Sequence, residues 1–207
     1  MQHSWLVVVV FLAVVVVWAL SPPTSRGPAH LEDLRFHGPS MKTSRIRVSV
    51  CTRDRQGYVQ TLSHYFSVYW PQYSQRVSLV IRDDQSTQYG ITQLKAWFPQ
   101  ASIIENPKPL RADACLQQQL SDFANQDKDD LFVFLDSDSI LSPDWIHALQ
   151  EIMPATGFMS LYHSQKASHA TIRCSSLLCE KASLGSLGMV FTLPTARQVA
   201  KDIKSTW

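Results

Sequence analysis

The chain has almost no excess charge of either sign. Lysine and arginine number 19 against 17 aspartates and glutamates, a formal balance of +2 over 207 residues. Nothing in that balance attracts a polyanion, so there is no electrostatic case for nucleic acid as a partner. Cysteine is scarce as well. Cys51, Cys115, Cys174 and Cys179 include no C-x-x-C pair, which argues against a zinc site. Cys51 falls in an expected strand and Cys115 on an expected helix face, where a buried free thiol is the common state. Cys174 and Cys179 flank a short loop, and that spacing fits either a disulfide or two unpaired thiols. No internal repeat is present.

No Lys or Arg precedes the uniformly apolar run Trp5 to Leu20, WLVVVVFLAVVVVWAL. A cleavable signal peptide wants basic residues there, although Ala19-Leu20-Ser21 is a passable small-x-small site. As a helix the run spans about 24 Å, just short of the ~30 Å hydrocarbon core. Tryptophans at both ends suit the membrane interface. The reading is a short tail over 1–4, an uncleaved single-pass transmembrane anchor over 5–20, and a stem or linker over 21–44 rich in Pro, Ser, Gly and His. Arg26 and Arg35, just after the anchor, argue weakly against translocation of the C-terminal part.

The whole chain is 45% apolar, enough for the remaining 45–207 to build a globular core. Its centre is DDLFVFLDSDSILSPDWI, Asp129 to Ile146. The apolar run Leu131 to Leu135, bounded by carboxylates, predicts a strand buried on both faces. Asp136 and Asp138 come next with Ser137 between them, so both carboxylates lie on one side of an extended chain just past the strand. Open α/β sheets bind ligands at that edge. Ser142, Pro143 and Asp144 read as N-cap, first helical position and acidic first turn of a helix reaching Met153. Two carboxylates so placed suit a hard divalent cation that shares its oxygen ligands with phosphates.

Other segments repeat the alternation. Arg45 to Cys51 and Val77 to Ile81 read as strands, Ala101 to Glu105 as a third, and Gly157 to Tyr162 and Leu184 to Leu193 as later ones. Between them, Tyr58, Leu62, Tyr65, Phe66 and Tyr69 recur at helical spacing as core positions, in a helix that Pro71 closes. Tyr89 to Trp97 and Leu110 to Gln126 read as further helices, the second with Leu116, Leu120 and Phe123 on one face. The alternation predicts a three-layer α/β/α domain with a mostly parallel sheet. Asp83 and Asp84 leave the second strand much as Asp136 and Asp138 leave the fourth. A carboxylate there suits a base N–H or ribose hydroxyls; it also suits an Asx-turn.

The string LDSDSILSPDWI resembles the metal-binding D-x-D segment of GT-A fold, family 2-like glycosyltransferases, of the nucleotide-diphospho-sugar transferase superfamily. SVCTRDR, Ser49 to Arg55, resembles the family's first strand and turn, with Cys51 where proline is usual. The resemblance implies a GT-A domain over 45–207 that moves a sugar from a nucleotide-diphosphate donor, a UDP-sugar in first place, to a hydroxyl acceptor on a glycan, lipid or protein. It implies Mn²⁺ or Mg²⁺ on Asp136 and Asp138. Thr52, Arg55, Asp83, Asp84, Arg111, Asp136 and Gly188 are then the donor-binding residues. In a eukaryote it implies residence in the Golgi or ER. His163 and His169 read as surface loop residues rather than metal ligands.

The family's general base, a carboxylate after the glycine-containing strand, has no match here. Asp202 and Glu180 are the nearby carboxylates, and neither fits the motif. The expectation is a chain that stops short of the family's full length, and the competing reading is a degenerate domain that binds donor or partner without turnover. Haloacid dehalogenase-like phosphatases also carry a strand ending in D-x-D, but that strand opens their domain, whereas here it is the fourth.

Overall fold

The computed structural model describes residues 44–126, 128–139, 141–152, 156–161, 171–174, 179–181 and 188–205. The described residues fall into two units, a larger one of 44–161 with 188–205 and a smaller one holding 171–174 and 179–181. In the larger unit, strand β1 (Ile46–Thr52) leads to helix α1 (Gln56–Tyr73), β2 (Val77–Asp83), α2 (Ile91–Trp97), β3 (Ser102–Glu105), α3 (Arg111–Ala124) and β4 (Leu131–Asp136). Helix α4 (Trp145–Ile152) and β5 (Phe158–Ser160) come after it. In the smaller unit, β6 (Thr171–Cys174) and β7 (Cys179–Lys181) form an antiparallel pair with Cys174 opposite Cys179. The larger unit then ends with β8 (Met189–Thr192) and α5 (Leu193–Ser205).

Six strands form one sheet in the order β3-β2-β1-β4-β8-β5. The pairs β3–β2, β2–β1 and β1–β4 are parallel; β8 runs antiparallel to both β4 and β5. Every residue of Leu131–Leu135 is buried, as the apolar run predicts. Phe132 and Phe134 pack with Leu120 and Phe123 of α3, Met189 and Phe191 of β8 and Ala196 of α5. Leu131, Val133 and Leu135 alternate with them and are equally buried, so the other face of the sheet is covered too. The mostly parallel α/β sheet is therefore as expected.

Several local expectations are corrected. Cys51 and Cys115 are not free thiols but a disulfide, joining β1 to α3 across a separation of 64 residues with Cα atoms 6.5 Å apart. The sequence placed each correctly, on a strand and on a helix face, but only the packing of α3 against β1 brings them together. Pro71 does not close α1, which runs on to Tyr73. The proline removes one ladder bond, while the buried Tyr73 anchors the last turn through its hydroxyl, which donates to the Pro143 carbonyl. Tyr58 is exposed rather than core, and Val59, Leu62, Phe66 and Tyr73 form the buried face. Helix α4 begins at Trp145, whose N–H bonds the Ser142 carbonyl at 3.3 Å, so 143 and 144 form a lead-in turn. The β6–β7 pair lies where no strand was expected.

Among the described residues, no helix is long and apolar enough to cross a membrane. The anchor expected at 5–20 and the stem at 21–44 lie outside the described residues, save for Ser44 at the stem's end, as do His163 and His169.

Candidate functional site

Strand order reverses between β1 and β4, since the chain builds outward to β2 and β3 on one side and adds β4 on the other. Loops leaving β1 and β4 therefore part in opposite directions and open a crevice at the carboxyl ends of the strands. The register sets Cys51 beside Asp136 and Thr52 beside Asp83, so the three acidic or polar strand ends are level. Asp136 and Asp138 stand at this edge, where the sequence put them.

Asp136 is half-buried, and its burial pushes its carboxyl pKa up. The like charge of Asp138 pushes the same way, and Arg55 opposes both. The two carboxylates are thus close enough to repel, which suits a shared cation. Both offer hard oxygens, and a divalent ion bound by one or two carboxylates takes its other ligands from phosphates and water. Among the described residues, no group of three or more His, Cys, Asp or Glu side chains is placed to hold a metal, so an ion on this pair would take most of its ligands from phosphate and water.

Helix α1 braces this acidic loop. At its N-terminus, Arg55 Nη1 donates to Asp138 Oδ2 at 2.7 Å. Farther along, the Tyr65 hydroxyl donates to the Ser142 carbonyl at 3.0 Å, and Tyr73 reaches Pro143. Burial raises the pKa of both phenols, so they remain donors.

The loops after β1 and β2 lock together. Asp54 Oδ1 accepts from the Thr87 and Gln88 amides at 2.7 and 3.1 Å, which lowers the Asp54 pKa. The Asp54 amide donates to Ser86 Oγ at 2.9 Å. Among the described residues, the non-glycine positions with positive φ are Asp54, Arg55, Gln85 and Arg111. All four lie in the loops or at the helix start that come after β1, β2 and β3. Left-handed backbone costs an ordinary residue about 1–2 kcal/mol, so the strain of the domain is gathered at one edge.

The other expected donor residues surround this edge. Thr52 is buried, its hydroxyl bonded to the Tyr89 hydroxyl and its carbonyl accepting the Asp84 amide at 2.8 Å. Asp83 is buried and accepts from the amide and hydroxyl of Ser86, an Asx-type turn. Asp84 is buried and caps α3: Oδ1 accepts from Asn106 Nδ2 at 2.8 Å and the Leu110 amide at 2.7 Å, and Oδ2 from the Arg111 amide at 3.1 Å. Arg111 meets Asp84 through its backbone, and the guanidinium paired with Asp84 is that of Arg53, at 3.9 Å. Gly188 has φ +61, and a Cβ there would stand 2.9 Å from Leu161 Cβ. It packs against β5's exit, and the crevice residues Thr52, Arg55, Asp83, Asp84, Arg111, Asp136 and Asp138 assemble without it.

Sequence reasoning missed Asn106 and Arg82. Buried Arg82 donates to Asn106 Oδ1 at 2.9 Å and to Asp122 Oδ2 at 2.5 Å, and so ties β2 to α3 behind Asp84. The Asn-Pro after β3 and an arginine directly after the apolar stretch Leu79–Ile81 of β2 are the available signals.

No family profile matches the chain, and no curated protein matches it. Solved structures do. A mannosyltransferase from Pyrobaculum calidifontis, in complex with GDP-Man and Mn²⁺, matches 94% of this chain and 53% of its own at 14% identity and a TM-score of 0.54. Glucosyl-3-phosphoglycerate synthase from Mycobacterium tuberculosis, in complex with Mn²⁺, UDP-Glc and phosphoglyceric acid, matches 87% of this chain and 71% of its own at 14% identity and a TM-score of 0.52. The chain spans about half the length of the mannosyltransferase, 53%. These likenesses identify the fold of the chain as the GT-A, nucleotide-diphospho-sugar transferase fold.

Proposed function

We propose that the chain is a membrane-anchored glycosyltransferase that moves a sugar from a nucleotide-diphosphate sugar to a hydroxyl acceptor. The observation that carries this reading is the pair Asp136 and Asp138 at the end of β4, on the lip of the switch-point crevice. Together they hold Mn²⁺ or Mg²⁺, whose charge neutralises the diphosphate as it leaves. Arg55 and Arg111 supply positive charge to the diphosphate, and the turns that carry Thr52, Asp83 and Asp84 receive the nucleoside. Gly188 lines the cleft where the sugar donor meets the acceptor. UDP- and GDP-sugars are both candidates, since the two solved structures above carry one of each.

Residues 5–20 anchor the chain, and the folded part lies in an oxidising lumen, of the Golgi or ER if the source is eukaryotic. The Cys51–Cys115 disulfide supports the lumenal placement, because such bonds persist in oxidising compartments and are rare in a reducing cytosol.

A second reading is donor binding without turnover. It is favoured by α5, where Asp202 is the one carboxylate and is hydrogen-bonded to Gln198 at 2.9 Å. Incubating the protein with a panel of UDP- and GDP-sugars, Mn²⁺ and hydroxyl acceptors separates the two. Metal-dependent release of nucleoside diphosphate supports transfer; tight donor binding with no release supports the second reading. Neither binding nor release contradicts both.

A further inference from the structure

The ion pair between Arg55 and Asp138 has a specific construction. Its Nη1–Oδ2 distance is 2.7 Å, yet the Arg55 side chain is 61% exposed and that of Asp138 34%. Beneath it the backbone is fixed. Arg55 and its neighbour Asp54 both have left-handed φ, of 58° and 53°. Asp54 is tied to Thr87 and Gln88, and the Gln88 side chain accepts the Gln56 amide at 3.0 Å. Side-chain torsions alone can therefore re-aim the guanidinium, with the backbone beneath it held.

A guanidinium forms comparable forked bonds with a carboxylate and with a phosphate. We infer that Arg55 is a place-holder cation: it neutralises Asp138 before a divalent metal does, and on being displaced turns to the diphosphate that the metal brings. Arg55 thus weakens binding of the metal alone and strengthens binding of metal and nucleoside diphosphate together, which couples the two ligands. This rests on the donor-site reading above and adds to it the order and interdependence of binding.

The test measures free Mn²⁺ by electron paramagnetic resonance over the detergent-solubilised full chain, with and without UDP, and with GDP in parallel. The variants are Arg55→Gln, Arg55→Lys and Arg53→Gln, each checked by circular dichroism. Without nucleotide, Arg55→Gln binds Mn²⁺ more tightly, by up to about fivefold, the worth of one half-exposed ion pair. The factor by which nucleotide tightens Mn²⁺ falls by about tenfold, as expected for loss of a charged hydrogen bond, and by linkage Mn²⁺ tightens nucleotide less to the same degree. Arg55→Lys, which keeps the charge without the fork, falls between wild type and Arg55→Gln in both, and Arg53→Gln, which removes the same charge from the same turn, leaves both within about twofold. Equal Mn²⁺ affinity in wild type and Arg55→Gln, or the same change in Arg53→Gln, overturns the inference while the donor site stands. If wild type takes up no Mn²⁺ with either nucleotide, the donor-site reading fails and takes the inference with it.

Discussion

Asn106 donates its side-chain amide to Asp84 Oδ1 at 2.8 Å, and this bond joins the chain after β3 to the acidic turn after β2. The same side chain accepts Arg82 Nη1 at 2.9 Å, so a single neutral residue lies between a buried cation and a buried anion. Asp84 in turn caps α3. The wall of the candidate crevice is thus held by a polar chain in the interior, and each member depends on the next.

Asn106→Leu, nearly the same in size, deprives both Arg82 and Asp84 of a partner. Leaving two buried polar groups short of bonds costs about 2–4 kcal/mol. Urea denaturation should show that loss as a lower midpoint with an unchanged slope; a shift of a few tenths of a kcal/mol would contradict the role given to the network.

The disulfide is expected to matter more. Closing a loop over the 64-residue separation between Cys51 and Cys115 stabilises by about 4 kcal/mol in the chain-entropy account. Cys51→Ala with Cys115→Ala should lose stability on that scale. Thiol titration of unreduced wild type in denaturant should find neither cysteine reactive, and two labelled thiols at 51 and 115 would remove the bond from the structure.

Tyr65, Tyr73 and Tyr89 all have pKa values raised above the ordinary 10.0, chiefly by burial. Between that value and their raised ones, the folded state holds protons that the unfolded state has released. Stability from these groups is therefore complete below pH 10 and falls as pH climbs through the folded values. Ultraviolet tyrosinate titration beside circular dichroism should show these phenols ionising late and together with loss of structure. Titration of every tyrosine near 10 with the fold intact would contradict it.

Two glycines separate space from backbone freedom. Gly188→Ala meets Leu161 and must hold φ at +61, so it should lower stability by about 1–2 kcal/mol. Gly57, in the first turn of α1, has nothing within 4 Å of a built Cβ. Gly57→Ala should be neutral or raise stability by a few tenths to about 1 kcal/mol. Thermal denaturation of the two variants checks the contrast, and equal effects would count against it.

Features with a local cause could be read from the sequence. Leu131–Leu135 announces a doubly buried strand because no polar residue interrupts it, and Asp136 and Asp138 inherit their place from its end. The acidic turn after β2 was legible for the same reason. The features that escaped depend on partners far along the chain. Tyr65 and Ser142 are 77 residues apart, and Asp129 of the β4 lead-in accepts from Arg47, 82 residues away. Tyr65 read as core because its ring lies on the helix stripe, while its hydroxyl bond to the acidic loop requires α1 to be docked first. Asp84 looked free for a ligand because nothing in Asp83-Asp84 says that the start of α3 will turn its amides toward it. The antiparallel course of β8 was equally hidden, since an apolar strand has the same pattern in either direction.

The central claim is that Asp136 and Asp138 make a metal-dependent nucleotide site. The most direct measurement is calorimetric titration of UDP and GDP into the detergent-solubilised chain, with and without Mn²⁺, beside Asp138→Ala. The account predicts binding of at least one nucleotide that requires Mn²⁺ and is lost in the variant. Binding unaffected by Mn²⁺ or by Asp138→Ala, or no binding to a protein shown to be folded, would contradict it.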